Sequence, residues 1–236
     1  MAEKGLIRIR RSDERGRADH GWLKRRFSFS FADYVDPEHM GYRSLRVIND
    51  DWIEGAKGFG MHPHQDMEII SYVVEGALAH KDNMGNESTI VPGKVLRMSA
   101  GTGLLHSEYN PLDRRLHLLQ IWITPDRQGL APEYEEAAFS DADKQGGLCL
   151  IGSRDGREGS VTIHQDVNLY ASMLGAGDTL TVPVEASRYV WIQLVEGQLK
   201  VNGEALETGD AAALSGVEQL HLAAGDGAEF LLFDLA

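Results

Sequence analysis

Cysteine is almost missing from this 236-residue chain, where Cys149 stands alone. One thiol can close no intramolecular disulfide and build no thiolate metal cluster, so a reducing, cytoplasmic setting is expected. Long apolar runs are missing too. No stretch approaches the roughly 20 apolar residues that span a bilayer. The opening "MAEKGLIRIRRSDERGRAD" has no apolar core of signal-peptide length. No membrane association is therefore expected. Positive charge is scarce: 23 Lys and Arg against 36 Asp and Glu leave a formal net charge of −13. Such a surface repels phosphate backbones and anionic lipid, which argues against direct nucleic-acid binding. The local basic cluster at Lys24, Arg25 and Arg26 reads as a solvated loop or turn. Long helical periodicity is also lacking, and only "APEYEEAAF", Ala131 to Phe139, reads as a short helix.

What is present is strand. "SLRVIND", "MEIISYVVEGALAH", "HLLQIWI", "YVWIQLVEGQLKV" and "EFLLFDL" are apolar or alternating runs rich in Val, Ile, Leu and aromatics. Turn candidates separate them, with "DNMGN" and "VNGEA" suited to hairpins. The expected fold class is all-β, a sandwich or barrel. A weak internal repeat doubles the unit: a β-run, a Val-Glu-Gly step (Val74–Gly76 and Val195–Gly197) and a hairpin occur in both halves. Two antiparallel barrels are expected, one over residues 1–130 and one over 131–236, with the polar stretch from Thr124 to Gly147 as connector.

The histidines are unevenly shared between the halves. "HPHQDMEII" carries His62 and His64, and "HSEYNP" carries His106 and Glu108. Residues two apart on a strand face the same side. Each pair therefore shares a face, and adjacent strands would bring three imidazoles and a carboxylate together. Such donors suit a divalent first-row metal such as Fe, Mn, Co, Ni, Cu or Zn rather than Ca²⁺. Glu68 has the parity of His64, but four strand residues span about 13 Å. Distance favours Glu108 and leaves Glu68 as a supporting or core-facing acid. His20, His39, His80, His117, His164 and His221 read as ordinary hydrogen-bonded or exposed histidines. Counting back from the shared glycine puts Pro183 opposite His62 and Glu185 opposite His64, so the second half lacks the set.

His62-Pro-His64-Gln-Asp-Met-Glu68 and His106-Ser-Glu-Tyr-Asn110 resemble the two motifs of the cupin superfamily, H-x-H-x3-E and H-x3-N. Within it the chain resembles the pirin family of bicupins, through "DPEHMGYRSLRVINDD", "HPHQDMEIISYVVEGALAHKDNMGN", "MSAGTGLLHSEYNP" and "LHLLQIWITP". The likeness is specific between His20 and Pro125 and looser after Ala131. It implies two cupin-type barrels face to face, with metal in the N-terminal one only. The ligands it implies are His62, His64, His106 and Glu108, and the metal is Fe(II) first. It further implies a quercetin 2,3-dioxygenase-like activity, opening a flavonol or related enol with O₂ and releasing carbon monoxide. Glu108 is then the ligand that also serves as catalytic base, and Phe59, Met61 and Met84 are candidates for an apolar wall. The eukaryotic branch implies a different role, a redox-responsive co-regulator that binds a protein partner. A monomer is expected.

Overall fold

The computed structural model describes residues 5–236 and is almost entirely β. Two compact units emerge: Gly16–Ala138 with Arg154–Gln165, and the segment up to Arg15 with Phe139–Ser153 and Asp166–Ala236. The chain thus crosses between units several times, where a single cut at 130/131 was expected. Among the described residues, no helix is long and apolar enough to cross a membrane.

The first unit is built on two sheets. Seven strands follow the order Glu133–Ala138, Lys94–Ser99, Glu68–Glu75, Leu116–Ile123, Leu45–Ile53, Leu23–Phe27 and Gly16–Asp19. Four more follow the order Gly58–His64, Leu104–Tyr109, Leu78–Asp82 and Glu87–Ile90. Alternation sets the inward face, where Leu23, Ile53, Ile69, Val73, Leu78, Leu96, Met98 and Leu116 form one buried cluster. Each such side chain, fully buried, contributes about 1.5–3 kcal/mol. The hairpin after Asp82 closes as its turn residues suggested, with the Asp82 N–H donating to Asn86 O.

Two local expectations are corrected. "APEYEEAAF" is a strand, Glu133–Ala138, and not a helix. It pairs in register with Lys94–Ser99, and its carboxylates meet cations across the ladder. Arg97 reaches Glu135 at 2.6 Å and Glu133 at 3.2 Å, and Lys94 reaches Glu136 at 3.3 Å. Cross-strand pairing of this kind outweighs the modest helix preference of Glu and Ala. The helical turn lies beyond it, at Asp141–Lys144, capped by Ser140. The basic triplet is likewise strand rather than loop. Lys24 is exposed, but Arg25 grips Asp51 with two bonds of 2.7 and 2.6 Å. The Arg25 guanidinium also lies within 5.7 Å of the ring centres of Phe27, Phe31 and Phe59.

The second unit repeats the pattern. Leu6–Arg10, Ala211–Ser215, Tyr189–Val201, Gln219–Leu235, Val167–Leu174 and Cys149–Ser153 follow one another in the sheet. Thr179–Pro183 pairs with Gln219–Leu235, and Glu204–Glu207 with Tyr189–Val201. Two long bent strands here do the work of two strands each in the first unit. The shared glycines, Gly76 and Gly197, align His80 with Val201. His80 pairs with Glu108 and Val201 with Leu222, which sets Leu222 at the place of Glu108 and Leu220 at that of His106. His106 pairs with His62, and Leu220 with Val182. The residues opposite His62 and His64 are therefore Val182 and Val184, not Pro183 and Glu185. The physical reason is the loop before the next strand, one residue longer after Val184 than after His64, which moves every count by one.

Candidate metal centre

Strands Gly58–His64 and Leu104–Tyr109 run antiparallel, with His62 directly opposite His106 and His64 opposite Leu104. Ring centres lie 4.3 Å apart for His62 and His106, 4.9 Å for His62 and His64, and 4.8 Å for His64 and His106. One nitrogen from each of the three lies within 4.8 Å of the others, the sole such donor group among the described residues. His106 is 0% exposed and neither of its ring nitrogens has a hydrogen-bond partner. A buried imidazole with both nitrogens idle is costly unless something else uses them. His62 Nδ1 lies 2.8 Å from the Gly60 carbonyl. Donation there fixes its tautomer and leaves Nε2 with a lone pair, the usual preparation of a metal-binding histidine.

Electrostatics favour the neutral rings that a metal needs. Burial, then the neighbouring His106 and His62, push His64 down to about 4, with the charge of Glu108 opposing. Burial, then His62 and His80, push His106 down to about 3, with Asp82 opposing. The donor set fits a divalent transition metal.

The two acids have separate surroundings. A register shift between His106 and Glu108 keeps both side chains buried while pairing Glu108 with Phe59. Glu108 accepts from Gln120 Nε2 at 2.8 Å and from Ser71 Oγ at 3.3 Å. It is not within the three-imidazole group, although its charge reaches His64. Glu68, 1% exposed, accepts from Ser99 Oγ at 2.6 Å and from the His164 backbone N–H at 3.3 Å. It anchors the Arg154–Gln165 segment within its own unit. Asn110, the last residue of the second motif, clamps a turn by donating to the carbonyls of Ile53, Glu54 and Arg114.

Of the wall candidates, Phe59 packs inward against Trp22, ring centres 5.4 Å apart. Met61 is 54% exposed and Met84 39% exposed. Met61 alternates away from the face of His62 and His64. Trp122 fills the wall role instead, edge-on to His64 at 4.9 Å. A cavity of about 410 Å³ reaches His64 from the outward side of the two histidine strands, bordered by Pro63 and Leu105, which alternate away from His62 and His106. Most other histidines are ordinary: His39 pairs with Asp36 and His117 with Asp50. His80 is the exception. It is buried with its ring 5.4 Å from His106, and its Nε2 lies 3.4 Å from Asp82. Only its inward parity with Asp82 marked it in the sequence. Gln120 and Trp122 carried no local signal.

Residues 8–123 match the Pirin family and residues 150–235 the Quercetinase C-terminal cupin domain. A protein named quercetin 2,3-dioxygenase from Escherichia coli is 47% identical over 98% of this chain and 99% of its own length. A pirin-like protein from Caulobacter vibrioides is 39% identical over 95% of this chain and 97% of its own. The crystal structure of bacterial pirin YhhW from Escherichia coli in complex with nickel(II) matches with a TM-score of 0.93 at 46% identity, covering 98% of this chain and 99% of that one. Matched along both barrels by these relatives, and carrying the paired histidine strands in its first barrel, the chain belongs to the pirin family.

Proposed function

We propose that the protein is a metal-dependent dioxygenase of the quercetin 2,3-dioxygenase type, opening a flavonol or related enol with O₂. The observation that carries this reading is His106, fully buried, with both ring nitrogens unpartnered at the centre of a three-imidazole group. The names of the close relatives support the reaction class. His62, His64 and His106 would hold the metal, with Glu108 as fourth ligand and Fe(II) as the ion. Glu108 is the inward acid on the same strand as His106, and its charge already bears on His64. When bound, a divalent cation polarises the substrate's enolic oxygen and lowers the pKa of its hydroxyl. Glu108 receives that proton; Gln120 and Ser71 hold its carboxylate in place while lone pairs remain for it. Trp122 and the neutral rings around it keep water from the buried side. None of these relatives is named as a regulator, and a cytoplasmic, monomeric enzyme is the setting we infer. Iron-loaded protein in air should bleach quercetin's visible absorbance and release carbon monoxide. Equal bleaching by His62→Ala and the unaltered protein would refute the proposal.

A further inference from the structure

The second barrel keeps an open chamber beside the place where the first keeps its histidines. The chamber measures about 690 Å³, a volume typical of small-molecule sites. Val182, Val184 and Leu220 line it, the residues that strand register sets in the places of His62, His64 and His106. Leu232 also lines it and stands where Gln120 stands in the first barrel, since Ser71 pairs with Gln120 and Ile192 with Leu232. The three histidines and Gln120 have thus all been exchanged for aliphatic residues: Leu220 and Leu232 are packed into the buried core as its floor, while Val182 and Val184 stay half-buried beside the open space. Its apolar wall, open to water, gains from an apolar guest.

Charged side chains line it as well. Arg188 Nη1 lies 2.8 Å from Asp166 Oδ1, Nε lies 2.7 Å from Asp234 Oδ1, and Nη2 donates to the Asp234 carbonyl at 2.9 Å. Glu185 adds a third carboxylate. The Arg188 side chain is 11% exposed while that of Asp166 is 51% exposed, so an arriving ligand meets carboxylate first. The guanidinium is already committed to two acids, and a ligand anion would face all three. A protonated amine would instead find an excess of acceptors and negative charge.

We propose that this chamber binds a small organic cation, its aromatic or branched alkyl body against Val182, Val184, Leu148 and Tyr170, over the packed floor of Leu220 and Leu232, and its ammonium group at Asp166 and Glu185. The site is independent of the metal and of the dioxygenase reading. The test is a methyl NMR titration of the full chain with phenethylamine, 2-phenylethanol and phenylacetate, a cation, a neutral molecule and an anion of similar shape. Phenethylamine should shift the methyl signals of Val182, Val184, Leu220 and Leu232 and leave Val73 and Leu118 of the first barrel unmoved. The alcohol should bind about tenfold more weakly and the acid more weakly still. Glu185→Gln and Asp166→Asn should each cut amine affinity several-fold without changing that for the alcohol, and Leu220→Phe should abolish both. Metal-free and metal-loaded protein should behave alike. The proposal is overturned if the amine moves none of the four methyl groups at millimolar concentration, if its shifts fall in the first barrel, or if the alcohol or acid binds as tightly as the amine. Glu185 is exposed, so Glu185→Gln tests the charge even should Asp166→Asn disturb Arg188.

Discussion

Replacing His106 by Leu should stabilise the metal-free protein while removing its response to metal. His106 is 0% exposed and both of its nitrogens lack partners, so the folded, metal-free protein carries a desolvated donor and acceptor that water would satisfy in the unfolded chain. Such unmet groups cost about 1–3 kcal/mol. Leucine fills a similar space with no polar atoms, so chelator-treated His106→Leu should exceed chelator-treated wild type by about that amount. Each kcal/mol corresponds to roughly 2–4 °C in melting temperature for a chain of this size. Metal should reverse the order: ions that bind only the folded state add about 2.7 kcal/mol at a hundredfold excess over Kd. Wild type should gain this and the variant should not. The assay is thermal unfolding of both proteins in chelator and in a series of Fe(II), Ni(II) or Zn(II) concentrations, with crossing stabilities as the expected signature. If chelated wild type is the more stable of the two, the imidazole is satisfied in some other way and the reasoning fails.

Acid should weaken the metal-free protein in a defined window. The folded-state pKa values of His64 and His106 lie near 4 and 3, below the ordinary 6.5, so below pH 6.5 the unfolded chain binds more protons than the folded one. Stability should therefore fall as pH drops from 6.5 toward 4, by less in His106→Leu; a flat melting temperature across that window would contradict the burial of these rings. Gln120→Met, which removes the 2.8 Å bond to buried Glu108, should cost about 1–3 kcal/mol of stability and lower quercetin turnover about 10–100-fold. Gly58→Ala should separate the two site strands. Its Cβ would collide with the Glu108 carbonyl oxygen, a backbone atom that cannot swing aside. A loss of about 1–3 kcal/mol and a weaker metal response are expected by denaturant titration. Glu68→Gln should cost about 1–3 kcal/mol through Ser99 and His164 yet leave metal stoichiometry at the wild-type value, measured by elemental analysis.

The all-β class was legible in the sequence because alternation is a local property that survives without knowledge of partners. His62 and His64 were legible for the same reason, two residues apart on one strand, as was the pairing of His106 with Glu108 in a second stretch. The strand at Glu133–Ala138 was not legible. Its Glu and Ala content favours helix, and only the neighbouring Arg97 and Lys94 reverse that preference. The partners of the two acids were equally hidden. Gln120 and Ser71 reach Glu108, and Ser99 and His164 reach Glu68, across separations of 12 to 96 residues that no spacing rule encodes.

The sequence by itself determined which side chains could share a face and that one half held donors the other lacked. Tertiary structure decided how those faces meet. Register made Val182 and Val184, not Pro183 and Glu185, the counterparts of the two histidines, and it brought His80 beside His106. A one-residue difference in a loop leaves each strand's own pattern intact but changes which residues stand opposite one another, and that information exists only in the paired sheet.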